Sequence, residues 1–224
     1  LYARLAEYLN PAHVDAVMMS AELFESLGQY ELAEAAYKSV PRDHPAFTAA
    51  EMGRADVLRR AGKTDAAVEV LEQLTGSHPD LAMVHASLGD LYRQLERFRD
   101  AAAAYDRALK NYSDDAPETW FIHYARAICY ERLGDWDKAE IDFRRAPELN
   151  PDNPQVLNYL GYSLVEKRMK LDEALDMIER AVARQPDSGY IVDSLGWALF
   201  RLGRYDQAVG HLERAAELMP VDPV

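Results

Sequence analysis

The chain has 224 residues, 49% of them hydrophobic and 28% charged, a globular balance that excludes an intrinsically disordered chain. Its formal net charge of −13 argues against a nucleic-acid partner, because an acidic surface repels phosphate backbones. The single cysteine, Cys129, excludes an intrachain disulfide and a thiolate metal cluster, and no apolar run approaches the roughly 20 residues of a membrane-spanning helix.

The first stretch, LYARLAEYLNP, opens on Leu1 inside a helical pattern. It reads as the second helix of a helix pair, over residues 1–13, and the chain is expected to be a fragment of a longer protein. From Val14 a motif begins that returns at Thr48, Ala82, Trp120, Pro154 and Gly189, at spacings of 34, 34, 38, 34 and 35. Helix pairs are therefore expected over 14–47, 48–81, 82–119, 120–153, 154–188 and 189–222. The third carries a four-residue insertion around the acidic stretch DDAPE, and the fifth one extra residue.

Certain positions repeat in kind. Position 8 is small in every copy (Ala21, Ala55, Gly89, Ala127, Gly161, Gly196), and position 20 is alanine in every copy (Ala33, Ala67, Ala101, Ala139, Ala174, Ala208). Small residues at these two places let two antiparallel helices approach closely, and aromatics such as Tyr37, Tyr105 and Phe143 fill the space beside them. Glycine recurs in the turn between the helices at Gly28, Gly62, Gly134 and Gly203. Proline at position 32, as in Pro45, Pro79 and Pro151, ends the second helix because it cannot continue the backbone ladder. Pro147, inside the second helix of the fourth copy, is expected to bend or shorten it.

A period of 34 with this pattern resembles the tetratricopeptide repeat, a helix–turn–helix unit. The resemblance implies an all-α fold of about thirteen helices, one right-handed α-solenoid domain of stacked antiparallel pairs with a concave and a convex side, since no single copy buries its apolar face alone. The last two copies, with LGYSL at Leu160–Leu164 and DSLGWALFRLG at Asp193–Gly203, resemble the C-terminal repeats of bacterial envelope tetratricopeptide proteins. These include lipoproteins that act as adaptors, so the resemblance implies a periplasmic or outer-membrane-associated setting, while the residues themselves leave a cytoplasmic one open.

Positions 2, 5, 9 and 12 form one stripe on the first helix of each copy. In the family this stripe lines the concave groove where peptides bind. Copies one to three place Asp15, Met18, Glu22, Glu25, Ala49, Met52, Asp56, Arg59, Met83, Ala86, Asp90 and Arg93 there, without an aromatic. Copies four to six place Phe121, Tyr124, Ile128, Glu131, Gln155, Asn158, Tyr162, Val165, Tyr190, Asp193, Trp197 and Phe200 there, half of them aromatic. Clustered aromatics beyond what the repeat core needs mark a contact surface. The alternative, rings that pack on each other and on the next copy, stays open. The expected peptide-binding residues are Phe121, Tyr124, Asn158, Tyr162, Tyr190, Asp193, Trp197 and Phe200, with Arg59 and Arg93 as carboxylate grips. Asp56 and Asp90, one turn earlier, are placed to pair with those two arginines.

One subclass of the family clamps a partner's C-terminal carboxylate with lysine at position 5, and no copy here has lysine there. GKT at Gly62–Thr64 lacks the upstream glycine and strand of a phosphate loop, the six histidines have no metal-ligand spacing, and no serine, cysteine or carboxylate pair stands out as an activated nucleophile. No catalytic activity, cofactor or metal is expected. The expected function is an interaction scaffold or adaptor that binds peptide segments of a protein partner. The alternatives are a structural subunit of a permanent envelope assembly and an accessory region of an enzyme whose catalytic domain lies elsewhere. Self-association through exposed terminal repeats is a further expectation.

Overall fold

The computed structural model describes residues 13–151 and 153–219. Twelve α-helices lie among them: α1 (Val14–Ser26), α2 (Tyr30–Lys38), α3 (Phe47–Arg60), α4 (Thr64–Ser77), α5 (Ala82–Gln94), α6 (Phe98–Leu109), α7 (Trp120–Arg132), α8 (Trp136–Leu149), α9 (Pro154–Glu166), α10 (Leu171–Arg184), α11 (Gly189–Arg201) and α12 (Tyr205–Leu218). A short 3-10 turn, Pro117–Thr119, precedes α7, and the described residues contain no strand. The helix expected over 1–13 lies outside the described residues except for His13.

The helices fall into two compact units, Leu1–Ser113 and Asp114–Val224. The boundary coincides with the inserted acidic loop of the third copy, where Asp114 and Asp115 are exposed. In the N-terminal unit α1 pairs with α2, α3 with α4 and α5 with α6, and the pairs are joined by packing of α2 on α3 and α4 on α5. In the C-terminal unit the pairs are α7 with α8, α9 with α10 and α11 with α12, joined by α8 on α9, α10 on α11 and α9 on α11. Within each pair the small residues at positions 8 and 20 are buried, so the backbones meet where the side chains are least. The C-terminal core gathers Phe143, Leu160, Leu164, Ile178 and Leu195, with Tyr124, Trp136, Tyr159 and Trp197 packed against it. Arg144 ties the fourth copy to the fifth by bonding Glu140 on its own helix and Glu173 on α10, at 2.9 and 2.6 Å.

Helix starts carry local signals. Pro154 opens α9, and Asn153 Oδ1 accepts from the Gln155 and Val156 amides at 3.0 and 3.2 Å. Pro147 does not shorten α8. The helix continues to Leu149, and the Asn150 amide still bonds the Ala146 carbonyl at 3.0 Å. The proline stands in the last turn, where little ladder remains to be lost.

The turn glycines Gly28, Gly62, Gly134 and Gly203 have φ between 70° and 80°. Glu96 and Arg168 occupy the same place in the third and fifth copies at φ 58° and 56°. Lys170, at φ 45°, follows where the fifth copy carries its extra residue. A left-handed backbone costs a side-chain-bearing residue about 1 kcal/mol or more relative to glycine. Arg168→Gly is therefore expected to raise stability by about 0.5 kcal/mol, the strain relief being partly offset by the freer unfolded chain. Thermal denaturation followed by circular dichroism checks it.

Candidate binding surface

In the N-terminal unit a groove of about 320 Å³ runs between α3 and α5, lined by Met52, Asp56, Arg59, Leu71, Asp90 and Gln94 among others. Arg59 donates through Nε and Nη2 to Asp56 Oδ1 at 3.1 and 2.6 Å, and Arg93 Nη2 lies 3.5 Å from Asp90 Oδ1. Each arginine of the stripe is thus engaged by the carboxylate one turn earlier on its own helix. The second helices also reach into the stripe. Tyr105 Oη donates to Asp90 at 2.7 Å and Tyr37 Oη to Glu25 at 3.2 Å. Burial first, and then the adjoining carboxylate, pushes both hydroxyls well above the usual tyrosine range. Reading the stripe alone missed these two tyrosines. Their position in the second helix recurs as a large core residue, and that recurrence is the signal for it.

In the C-terminal unit the predicted residues divide. Phe121, Tyr162, Tyr190 and Phe200 are exposed, at 37%, 39%, 47% and 44%. Asp193 is exposed as well. Tyr124 lies inward, its ring centroid 5.5 Å from that of Tyr159 and 6.3 Å from that of Phe143. Asn158 is buried. Trp197 is intermediate, with one side on the core and one ring face stacked on Phe200 at 5.4 Å and 19°. Phe200 in turn lies 5.5 Å from Tyr205, at the start of α12. The three rings form a continuous aromatic shelf, and Tyr205, exposed though at a core position of the repeat, was not among the predicted residues. Among the described residues, no helix packs on the far side of α12.

Polar groups hold this shelf. Trp197 Nε1 donates to Glu166 Oε1 at 2.6 Å, so α11 is pinned to α9. Arg201 Nη1 lies 3.6 Å from the same carboxylate oxygen, with its guanidinium carbon 5.5 Å from the Trp197 ring centroid. The Tyr162 hydroxyl is pushed up by burial, then by Glu166 and Asp193, with Arg201 acting the other way. His85 and His123, equivalent in sequence, each bond within their own copy: His85 Nε2 with the Pro79 carbonyl and His123 Nδ1 with Asp142, both at 2.8 Å. Cys129 is buried as a small apolar residue. Among the described residues no three metal-ligating side chains come together, and no helix is long and apolar enough to cross a membrane.

A family profile described as tetratricopeptide repeat matches residues 18–82, 52–97, 86–154 and 160–223. A TPR repeat-containing protein of Pseudomonas aeruginosa is 30% identical over 175 residues, which cover 78% of this chain and 29% of that protein. The lipoprotein NlpI homolog of Haemophilus influenzae is 37% identical over 90 residues, 39% of this chain and 27% of that one. This chain therefore spans less than a third of either relative. Among solved structures, YrrB, described as a TPR protein with an unusual peptide-binding site, superposes with a TM-score of 0.63 at 19% identity, over 77% of this chain and 86% of that one.

Proposed function

We propose that this chain, which belongs to the tetratricopeptide repeat family, is an interaction scaffold that holds a segment of a partner protein against the first-helix stripe of its C-terminal unit. The observation that carries this is the aromatic shelf of Trp197, Phe200 and Tyr205, with Tyr162 exposed on α9 and Tyr190 exposed two turns before Trp197 on α11. Clustered exposed rings that a folded unit does not need for its own core are the usual anchors of a protein contact. Phe121, Tyr162, Tyr190, Asp193, Trp197 and Phe200 touch the segment in this reading, and Tyr124 and Asn158 support it from behind. Arg59 and Arg93, with Asp56 and Asp90, make a separate polar contact in the groove of the N-terminal unit. The peptide-binding description of YrrB supports a scaffold role by likeness of fold.

The test compares the wild-type chain with a Tyr190→Ala, Phe200→Ala variant, both immobilised and exposed to a lysate of the source organism. Both rings are exposed, so circular dichroism should be unchanged. At least one retained partner is expected to fall by about tenfold or more in the variant. Identical retention by both proteins rejects the aromatic shelf as the contact.

A further inference from the structure

A second concavity lies in the N-terminal unit and uses none of the stripe residues. It is a cavity of about 480 Å³ where the start of α3 meets the end of α4, with Arg42, from the segment between α2 and α3, also on its wall. That volume is in the range of small-ligand sites. Its apolar wall is the half-buried ring of Phe47 and the buried Leu74. Position 4 of the repeat is Val17, His85, His123, Leu157 or Val192 in the other copies and Glu51 here. Glu51 lines the cavity, but Arg54 Nη1 donates to its Oε1 and Oε2 at 3.3 and 3.2 Å, so its charge is already met. Ser77 Oγ is engaged with the Gln73 and Leu74 carbonyls, both at 3.1 Å, and with His78 Nδ1 at 2.9 Å. Two of the carbonyls that end α4 are therefore covered. α3 starts beside them without a side-chain cap, so no acceptor side chain offsets the positive end of its dipole. Arg42 stands apart from these satisfied groups. It is exposed, and its guanidinium makes no hydrogen bond or ion pair among the described residues.

We propose that this cavity takes an apolar group that ends in a carboxylate. The body lies on Phe47 and Leu74, and the Arg42 guanidinium meets the carboxylate, whose two oxygens its planar fork matches. A cation is disfavoured, because Glu51 already has Arg54 and the charge left on the wall is that of Arg42. A neutral apolar group draws nothing from the arginine. Inorganic phosphate supplies charge but no body for the ring and the leucine. The site lies in the other compact unit from the aromatic shelf, so it stands or falls independently of the function proposed above.

Titration of the whole ¹⁵N-labelled chain with 3-phenylpropionate, followed by amide NMR shifts, tests this. Shifts are expected at Phe47, Gln73, Leu74, Ser77 and His78, with an affinity of about millimolar for so small a probe. 3-Phenylpropanamide, the same body without the charge, should bind about fivefold more weakly, and so should 3-phenylpropionate to Arg42→Gln. Gln73→Glu, which sets a like charge on the same wall, should weaken the acid and leave the amide unchanged. Arg42 and Gln73 are both exposed, so both variants are expected to fold, and circular dichroism checks it. Acetyl-Gly-Phe with a free carboxyl end separates the two sources of the group. Shifts at the same amides mean that the cavity admits the C-terminus of a peptide, and shifts with 3-phenylpropionate alone mean a small free acid; either supports the site. No shift at these amides with about 10 mM 3-phenylpropionate overturns it. Equal binding of acid and amide, unchanged binding to Arg42→Gln, or stronger shifts with inorganic phosphate than with the acid overturns it as well.

Discussion

Replacing Asp142 by alanine is expected to destabilise the C-terminal unit by about 3 kcal/mol, the scale of breaking a buried ion pair from one side. Asp142 lies on α8 and is 2% exposed. It accepts from Arg126 Nε and Nη2, both at 2.7 Å, and lies 2.8 Å from His123 Nδ1, with both partners on α7. The Arg126 and His123 side chains are themselves only 18% and 15% exposed, so alanine would leave a guanidinium largely out of water beside a cavity. The other copies put Ala36, Val70, Ala104, Met177 and His211 at the position of Asp142, so the fold does not demand a carboxylate there. Burial alone would raise the Asp142 carboxyl, but the bonds from His123 and Arg126 outweigh it and hold the group below the usual carboxylate range. A depressed folded-state value means the contribution is fully present above the unfolded value of about 3.9 and disappears as pH falls through the folded one. Wild type and variant should therefore differ most near neutrality and converge in acid. Urea denaturation at neutral pH and again well below pH 4 reads both effects, and an equal gap at the two pH values would contradict the charged role.

Much of the architecture could be read before any coordinates. α1, α5, α7, α9 and α11 begin at Val14, Ala82, Trp120, Pro154 and Gly189, where the repeat frame starts, and α3 begins one residue early, at Phe47. Those helix starts follow from backbone-level constraints that each copy carries in its own residues: a small residue at the helix crossing, a left-handed turn and a helix-ending proline. The pairing of Arg59 with Asp56 was legible for the same reason, since three residues on a helix make neighbours. What sequence spacing did not reveal depends on contacts between helices. Tyr124 and Tyr162 share a stripe, yet Tyr124 turns inward because Phe143 and Tyr159 offer it ring partners, while Tyr162 stays exposed. Arg126 and Asp142 are 16 residues apart on different helices, so nothing local announces their bond. Left-handed Arg168 and Lys170 were hidden because the fifth copy absorbs an extra residue without a glycine to mark the turn.

Gly161→Val is expected to cost about 3 kcal/mol and to weaken partner binding, although Gly161 is buried beneath the contact stripe and the new side chain would point at α10 rather than at a ligand. A Cβ at this position would stand 2.7 Å from Ile178 Cγ1 and 2.9 Å from the Ala174 carbonyl oxygen. The isoleucine can shift, but the carbonyl belongs to the α10 backbone, so α9 and α10 must separate. At Gly196 the nearest atoms are Leu212 Cγ and Cδ2 at 2.7 and 2.8 Å, a side chain on the outermost described helix, while the nearest backbone atom, Leu212 N, stands farther off at 3.2 Å. Gly196→Val should therefore cost less than Gly161→Val. Gly76, within α4, has nothing within 4 Å of its would-be Cβ, so Gly76→Ala should gain up to about 1 kcal/mol from helix propensity alone. Equal effects of the three substitutions in chemical denaturation would mean that glycine is kept for flexibility. Opposite signs would mean that position 8 is set by the approach of two helices. The functional consequence follows from geometry: Asn158 and Tyr162 ride on the same helix as Gly161, three residues before and one after it. Pushing α9 away from α10 moves both against Asp193 and Trp197 on α11, so the crossing that stabilises the pair also sets the spacing of the surface proposed to meet the partner.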